Sequence, residues 1–180
     1  MKSALCRLAL CWAAAILPGP ALAADPFVAE LEQRLASTGV ESVNDYLSAH
    51  PDSAMARFNR KTASCELQAV SLALRLARGA NARTVQAHEE SLRAATGRCA
   101  RFILALVSAA EVPTVCASQA SWGAAQTARE LRRRIADIDA DKLLRATAQG
   151  QACRAAYLYE LKNTRVRLRV ASPSPAAPER

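Results

Sequence analysis

The 180-residue chain carries 24 Lys and Arg against 16 Asp and Glu, a formal net charge of +8, and 51% of its residues are apolar. That is enough apolar material for one domain with its own core, but only 4% of the residues are aromatic, and a core built mostly of Ala and Leu favours closely packed helices over a β-sandwich. A basic balance suits nucleic acid, anionic lipid, cell-wall polymer or an acidic protein surface, beside the simpler account of a solvated exterior.

The first residues read as an export signal. Met1 to Arg7 is a short basic start, Leu8 to Leu17 is apolar, Pro18-Gly19-Pro20 breaks the run, and Ala21-Leu22-Ala23 offers small residues where a signal peptidase cuts. The apolar run is shorter than the ~20 residues a bilayer span needs, and no later stretch qualifies. Cys11 follows Leu10, which is too large for a lipoprotein box. The expectation is a cleaved leader over 1–23, one helical domain over 24–171 and a Pro- and Ala-rich disordered tail over 172–180. The compartment is expected to be the periplasm, or else the outside of the cell; both are oxidising, and export argues against nucleic acid as a partner. Cys6 and Cys11 leave with the leader, so Cys65, Cys99, Cys116 and Cys153 remain, and four cysteines allow three pairings.

Asp25-Pro26 predicts a capped helix running to about Ser37 and stopped by Gly39, with a short helix from Ser42 to Ala49 ended by His50-Pro51. Asp52 then caps one long helix, whose seam is Met55, Phe58, Thr62, Cys65, Ala69, Leu72 and Leu76 in alternating steps of three and four. Gly79 ends it. Thr84 is the expected cap of the next helix, with Val85, His88, Leu92, Ala95, Cys99, Phe102, Leu106 and Ala109 on its seam, Ile103 and Val107 widening the apolar face, and Pro113 closing it off.

These two seams should meet in an antiparallel hairpin. The helix edges put the turn centre near residue 81, and Cys65 and Cys99 mirror about residue 82, a mismatch of roughly 1.5 Å of helix rise. Facing Cα atoms on packed helices lie roughly 4–5.5 Å apart, within disulfide range. A Cys65–Cys99 bridge is therefore expected, which leaves Cys116–Cys153 by elimination.

Ser121 caps an expected helix over 122–138, with Ala124, Ala128, Leu131, Ile135 and Ile138 on its seam and Arg129, Arg132, Arg133 and Arg134 decorating the other faces. Asp139 to Asp141 marks a break or a recapping point. Leu143-Leu144 begins a short helix that Gly150 interrupts before Cys153 to Leu161 continues. Arg165 to Val170 alternates strictly, which suggests an extended arm. The fold class is thus all-α, a disulfide-linked bundle of antiparallel helical hairpins with a short extended arm near its end.

No catalytic constellation stands out. His50 and His88 are the only histidines, and His88 on a seam reads as a packing residue. Disulfides would consume the thiols a zinc site needs, no Cys-x-x-Cys occurs, and neither a nucleophile elbow nor a glycine-rich phosphate loop is present. Glu89 and Glu90 are adjacent and should diverge on a helix. No enzyme activity, metal or cofactor is expected. The arginines around 129–134 suit an acidic surface, and Trp122 suits either an exposed anchor or a core position at a helix start.

The stretch Cys99-Ala100-Arg101-Phe102-Ile103, then Cys116, then Trp122-Gly123-Ala124-Ala125-Gln126 resembles the Rap/Tai immunity family of type VI secretion systems over Cys99 to about Leu161. The resemblance implies a small periplasmic helical protein that binds a secreted toxin, such as a cell-wall amidase effector, and occludes its active site. The partner would be a protein toxin with an acidic surface, and a homodimer is left open. Candidate contacts are Trp122, Arg129, Arg132, Arg133 and Pro113 within Val112-Pro113-Thr114. A periplasmic accessory or chaperone-like protein of the cell envelope is the alternative.

Overall fold

In the computed structural model, which describes residues 25–171 and the side chains of 25–164, Asp25 starts the first helix. The leader expected at 1–23 and the tail expected at 172–180 lie outside the described residues. The Asp25 carboxylate accepts from the backbone N–H groups of Phe27 at 2.9 Å and Val28 at 3.4 Å, at the head of α1 (Pro26–Ala49). The same carboxylate meets Lys61 at 2.5 Å, which pins the start of α1 to the next part of the chain and, with that cation beside it, holds Asp25 below its ordinary carboxyl range.

The expected stop at Gly39 is a kink. The residue has φ 84 and ψ 175, and helix resumes beyond it, so α1 is two helical runs joined at one glycine. An added Cβ there would touch nothing within 4 Å. The cost of Gly39→Ala is therefore purely conformational, and we expect a loss of about 2 kcal/mol in urea unfolding. An unchanged denaturation midpoint would show that the kink relaxes freely.

The single long helix expected from Asp52 is corrected. A π-helical turn (Pro51–Met55) leads into α2 (Ala56–Ala63), the chain breaks at residues 64–66, and α3 (Leu67–Leu76) follows. The break has a local cause: Cys65 stands at φ 69, in the left-handed region that a continuous helix cannot contain. Lys61 bridges to Glu66 across the break at 2.9 Å. The seam itself survives, because Met55, Phe58, Thr62, Ala69, Leu72 and Leu76 are all buried.

α4 (Ala82–Leu106) is capped by Asn81, whose side-chain oxygen accepts from the backbone N–H of Thr84, rather than by Thr84 itself. It leaves helical geometry at Cys99 (φ −135, ψ 47), which turns the buried face by one residue. Ile103, Leu104 and Val107 are buried beyond the kink, whereas Leu106, expected on the seam, is 45% exposed. α4 ends at Leu106, before Pro113 is reached. Pro113 instead lies in the single turn α5 (Val112–Val115).

The second half is α6 (Ala124–Ala140), α7 (Lys142–Ala146) and α8 (Ala148–Ala171). α6 starts after Gly123, two residues beyond the expected cap. Asp141 does recap the chain, accepting from Leu143 and Leu144 at 3.0 and 3.1 Å. Gly150 does not interrupt the helix. Its N–H donates to the Thr147 hydroxyl, and a Cβ would fall 1.9 Å from the Leu144 carbonyl oxygen, so glycine lets α7 close onto the first turn of α8. The pairs Asp139–Arg154 and Arg134–Tyr157 run in opposite chain order, as an antiparallel α6–α8 hairpin requires.

The extended arm expected over 165–170 is also corrected, because these residues continue α8. A lone strand would leave its backbone donors and acceptors unmatched, whereas a helix satisfies them internally. The described residues contain helices and turns only, and none of these helices is long and apolar enough to cross a membrane.

Both expected disulfides are present. Cys65–Cys99 has a Cα separation of 6.2 Å, wider than facing straight helices would give because each cysteine sits at a break in its helix. Cys116–Cys153 has 5.3 Å and joins the end of α5 to α8. The buried side chains of both halves form one continuous apolar cluster.

Candidate functional site

α6 supplies the candidate surface. Arg129, Arg132 and Arg133 follow one another at helical spacing, share one face and are all exposed. Arg133 is engaged: it donates to Glu130 at 3.0 Å, to Asp137 at 2.8 Å and to the Gly97 carbonyl at 3.4 Å. Arg129 and Arg132 form no ion pair among the described residues. Pro113 is exposed on α5, which packs chiefly on α4 and α8, so it does not belong to the arginine face.

Trp122 precedes α6 and is half-buried, with its ring centre 5.0 Å from the guanidinium carbon of Arg134. Arg134 is the residue that the sequence pattern missed. Grouped with the surface arginines, it is only 4% exposed. The signal was available: Leu131, Arg134 and Ile138 lie on one stripe of α6, and the other two are core residues.

The Arg134 guanidinium donates to the Tyr157 hydroxyl at 3.2 Å and lies 5.7 Å from that ring. Its Nε has no partner among the described residues. Burial pushes the Tyr157 phenol upward, against the opposing pull of the Arg134 charge. Gly97 allows the approach, since a Cβ there would stand 2.7 Å from Arg134 Nη2. Arg134 and Gly97 line a cleft of about 310 Å³ at the α4 kink, together with Cys99, Asp137, Asp141 and Tyr157. Two acidic groups of the cleft are already paired: Asp137 with Arg133, and Asp141 with Arg101 at 2.9 Å, a cation that holds the Asp141 carboxyl below its ordinary range.

Elsewhere, His88 is fully buried under α1 and α2. Asn44 donates its amide to the Leu76 carbonyl, which leaves Asn44 Oδ1 to accept from His88 Nε2 at 3.1 Å, while Nδ1 has no partner. Burial lowers the His88 pKa to about 4, so the ring is neutral near pH 7. Glu89 and Glu90, expected to diverge, both reach Arg93, at 3.0 and 3.2 Å. All four cysteines of the described residues are disulfide-bonded, and no group of three or more His, Cys, Asp or Glu among those residues could hold a metal ion.

Fold and site together define an all-α, doubly disulfide-bonded protein with exposed arginines on α6 that form no ion pair among the described residues, and a cleft holding a buried cation. Comparisons with family models, curated proteins and solved structures find no match to the chain.

Proposed function

We propose that this is a periplasmic immunity protein that binds and neutralises a secreted toxin, with a type VI cell-wall amidase effector as the candidate, by occluding the toxin's active site. Its chemistry is binding rather than turnover. The observation that carries the reading is the pair of exposed cations Arg129 and Arg132, unpaired among the described residues, on a helix anchored by the α6–α8 hairpin. A fixed helix face loses little conformational freedom when it docks, and unpaired arginines steer an acidic partner onto it. Two disulfides suit a compartment without reducing glutathione.

Co-expression tests this directly. Cells exporting the toxin encoded at the same locus are expected to survive only with this protein present. Arg129→Glu with Arg132→Glu is expected to weaken the complex about tenfold, mainly through slower association. Equal killing with and without the protein would end the immunity reading, and unchanged binding by the double variant would move the interface off α6.

A further inference from the structure

The geometry points to a carboxylate-binding site in the cleft at the α4 kink, anchored by Arg134. This does not rest on the immunity reading. A guanidinium has five N–H donors in a planar fork, and among the described residues a single acceptor, the Tyr157 hydroxyl, takes one of them at 3.2 Å. Arg134 is 4% exposed and has no carboxylate partner among the described residues. Burying a charge without a counter-ion is costly, and two aromatic faces at 5.0 and 5.7 Å offset only part of that.

The surrounding charges select the ligand. Asp137 is neutralised by Arg133 and Asp141 by Arg101, which leaves Arg98 and Arg134 as the lining cations without a carboxylate among the described residues; Arg98 is exposed and screened by water, so Arg134 is the buried one. One buried cation without a counter-ion calls for one negative charge. A phosphate dianion would bring a second negative charge for which the cleft holds no buried cation. A carboxylate matches the fork bidentately and carries a single charge. Ile138 and Leu144 line the same cleft, so a short apolar body behind the carboxylate fits its volume of about 310 Å³. Gly97 completes the site, because a side chain at that position would press on the guanidinium.

Two sources share this chemistry: a free short-chain acid, and a glutamate side chain presented by another protein. Titration of the full exported protein, followed in 1H–15N spectra at the Gly97 amide and the Trp122 indole N–H, distinguishes them. Sodium butyrate and a glutamate blocked at both backbone ends are the probes, with butyramide as the uncharged control. Saturable shifts are expected at both reporters with at least one of the acids, and none with butyramide. The better ligand identifies the source. Arg134→Gln is expected to weaken binding at least tenfold. Absence of saturation with both acids, equal shifts from butyramide, or full binding by Arg134→Gln would each overturn the proposal. The butyramide comparison decides on the unaltered protein if that variant does not fold.

Discussion

Replacing Cys116 and Cys153 with alanine is expected to lower the unfolding free energy by about 5 kcal/mol, and replacing Cys65 and Cys99 by about 4 kcal/mol. The bridges close loops of 37 and 34 residues, so the chain-entropy contribution is nearly the same for both. What separates them is packing. Cys116 and Cys153 are fully buried where the end of α5 is tied to α8, and truncation leaves a void in the core. Cys65 and Cys99 are half-buried, so the space they vacate is partly open to water. Urea unfolding of the two double variants under the same oxidising buffer measures the order. Equal losses would mean that only loop closure matters, and a reversed order would mean that the kinked hairpin is the more demanding half.

The ranking also marks what the sequence could and could not reveal. The Cys65–Cys99 bridge was legible because two heptad seams flank one turn, and pairing across a hairpin depends mainly on counting. The break at Cys65 was not, because a left-handed cysteine has no local signature; its conformation is held by partners distant in sequence, Cys99 above all. The kink at Cys99 then shifts the seam by one residue, so Leu106 is exposed while Val107, expected only to widen the apolar face, is a core position. At Arg165 to Val170 strict alternation suggested a strand, yet the run extends a helix that had already begun at Ala148, and continuing it satisfies one more backbone hydrogen bond per residue without a second chain segment.

Arg134 escaped for a different reason. Residue type outweighed position: arginine is rarely buried, so it was grouped with its exposed neighbours although its spacing from Leu131 and Ile138 put it in the core. The exposed arginines of α6 were legible as a group, but their division was not. Arg133 is spent on Glu130, Asp137 and Gly97, whereas Arg129 and Arg132 stay unpaired among the described residues. That division follows from the acids at i−3 and i+4 around Arg133, a local pattern that the sequence does contain.

Acid is expected to destabilise the fold through His88 before the surface carboxylates matter. The ring is buried against Phe58, with centres 5.5 Å apart, and its Nε2–H donates to Asn44. Its pKa falls from an ordinary 6.5 to about 4 on folding. The unfolded chain therefore binds a proton more readily than the folded one, and stability falls as pH drops below 6.5, levelling only below about 4. The loss amounts to about 2 kcal/mol at pH 5 and about 3 kcal/mol at pH 4. The carboxyls of Asp25, Glu111, Asp139 and Asp141 are all held below their ordinary range by ion pairs and hydrogen bonds, so their contributions are lost only as pH falls through and below the ordinary carboxylate range. Between pH 6.5 and 5 the buried imidazole dominates. His88→Gln keeps an N–H for Asn44 but cannot take up a proton there, so its unfolding midpoint in urea should stay flat from pH 7 to 5 while that of the parent protein falls. If the parent is equally stable at pH 7 and 5, His88 is not held neutral by the fold. If both proteins weaken together, the proton goes elsewhere.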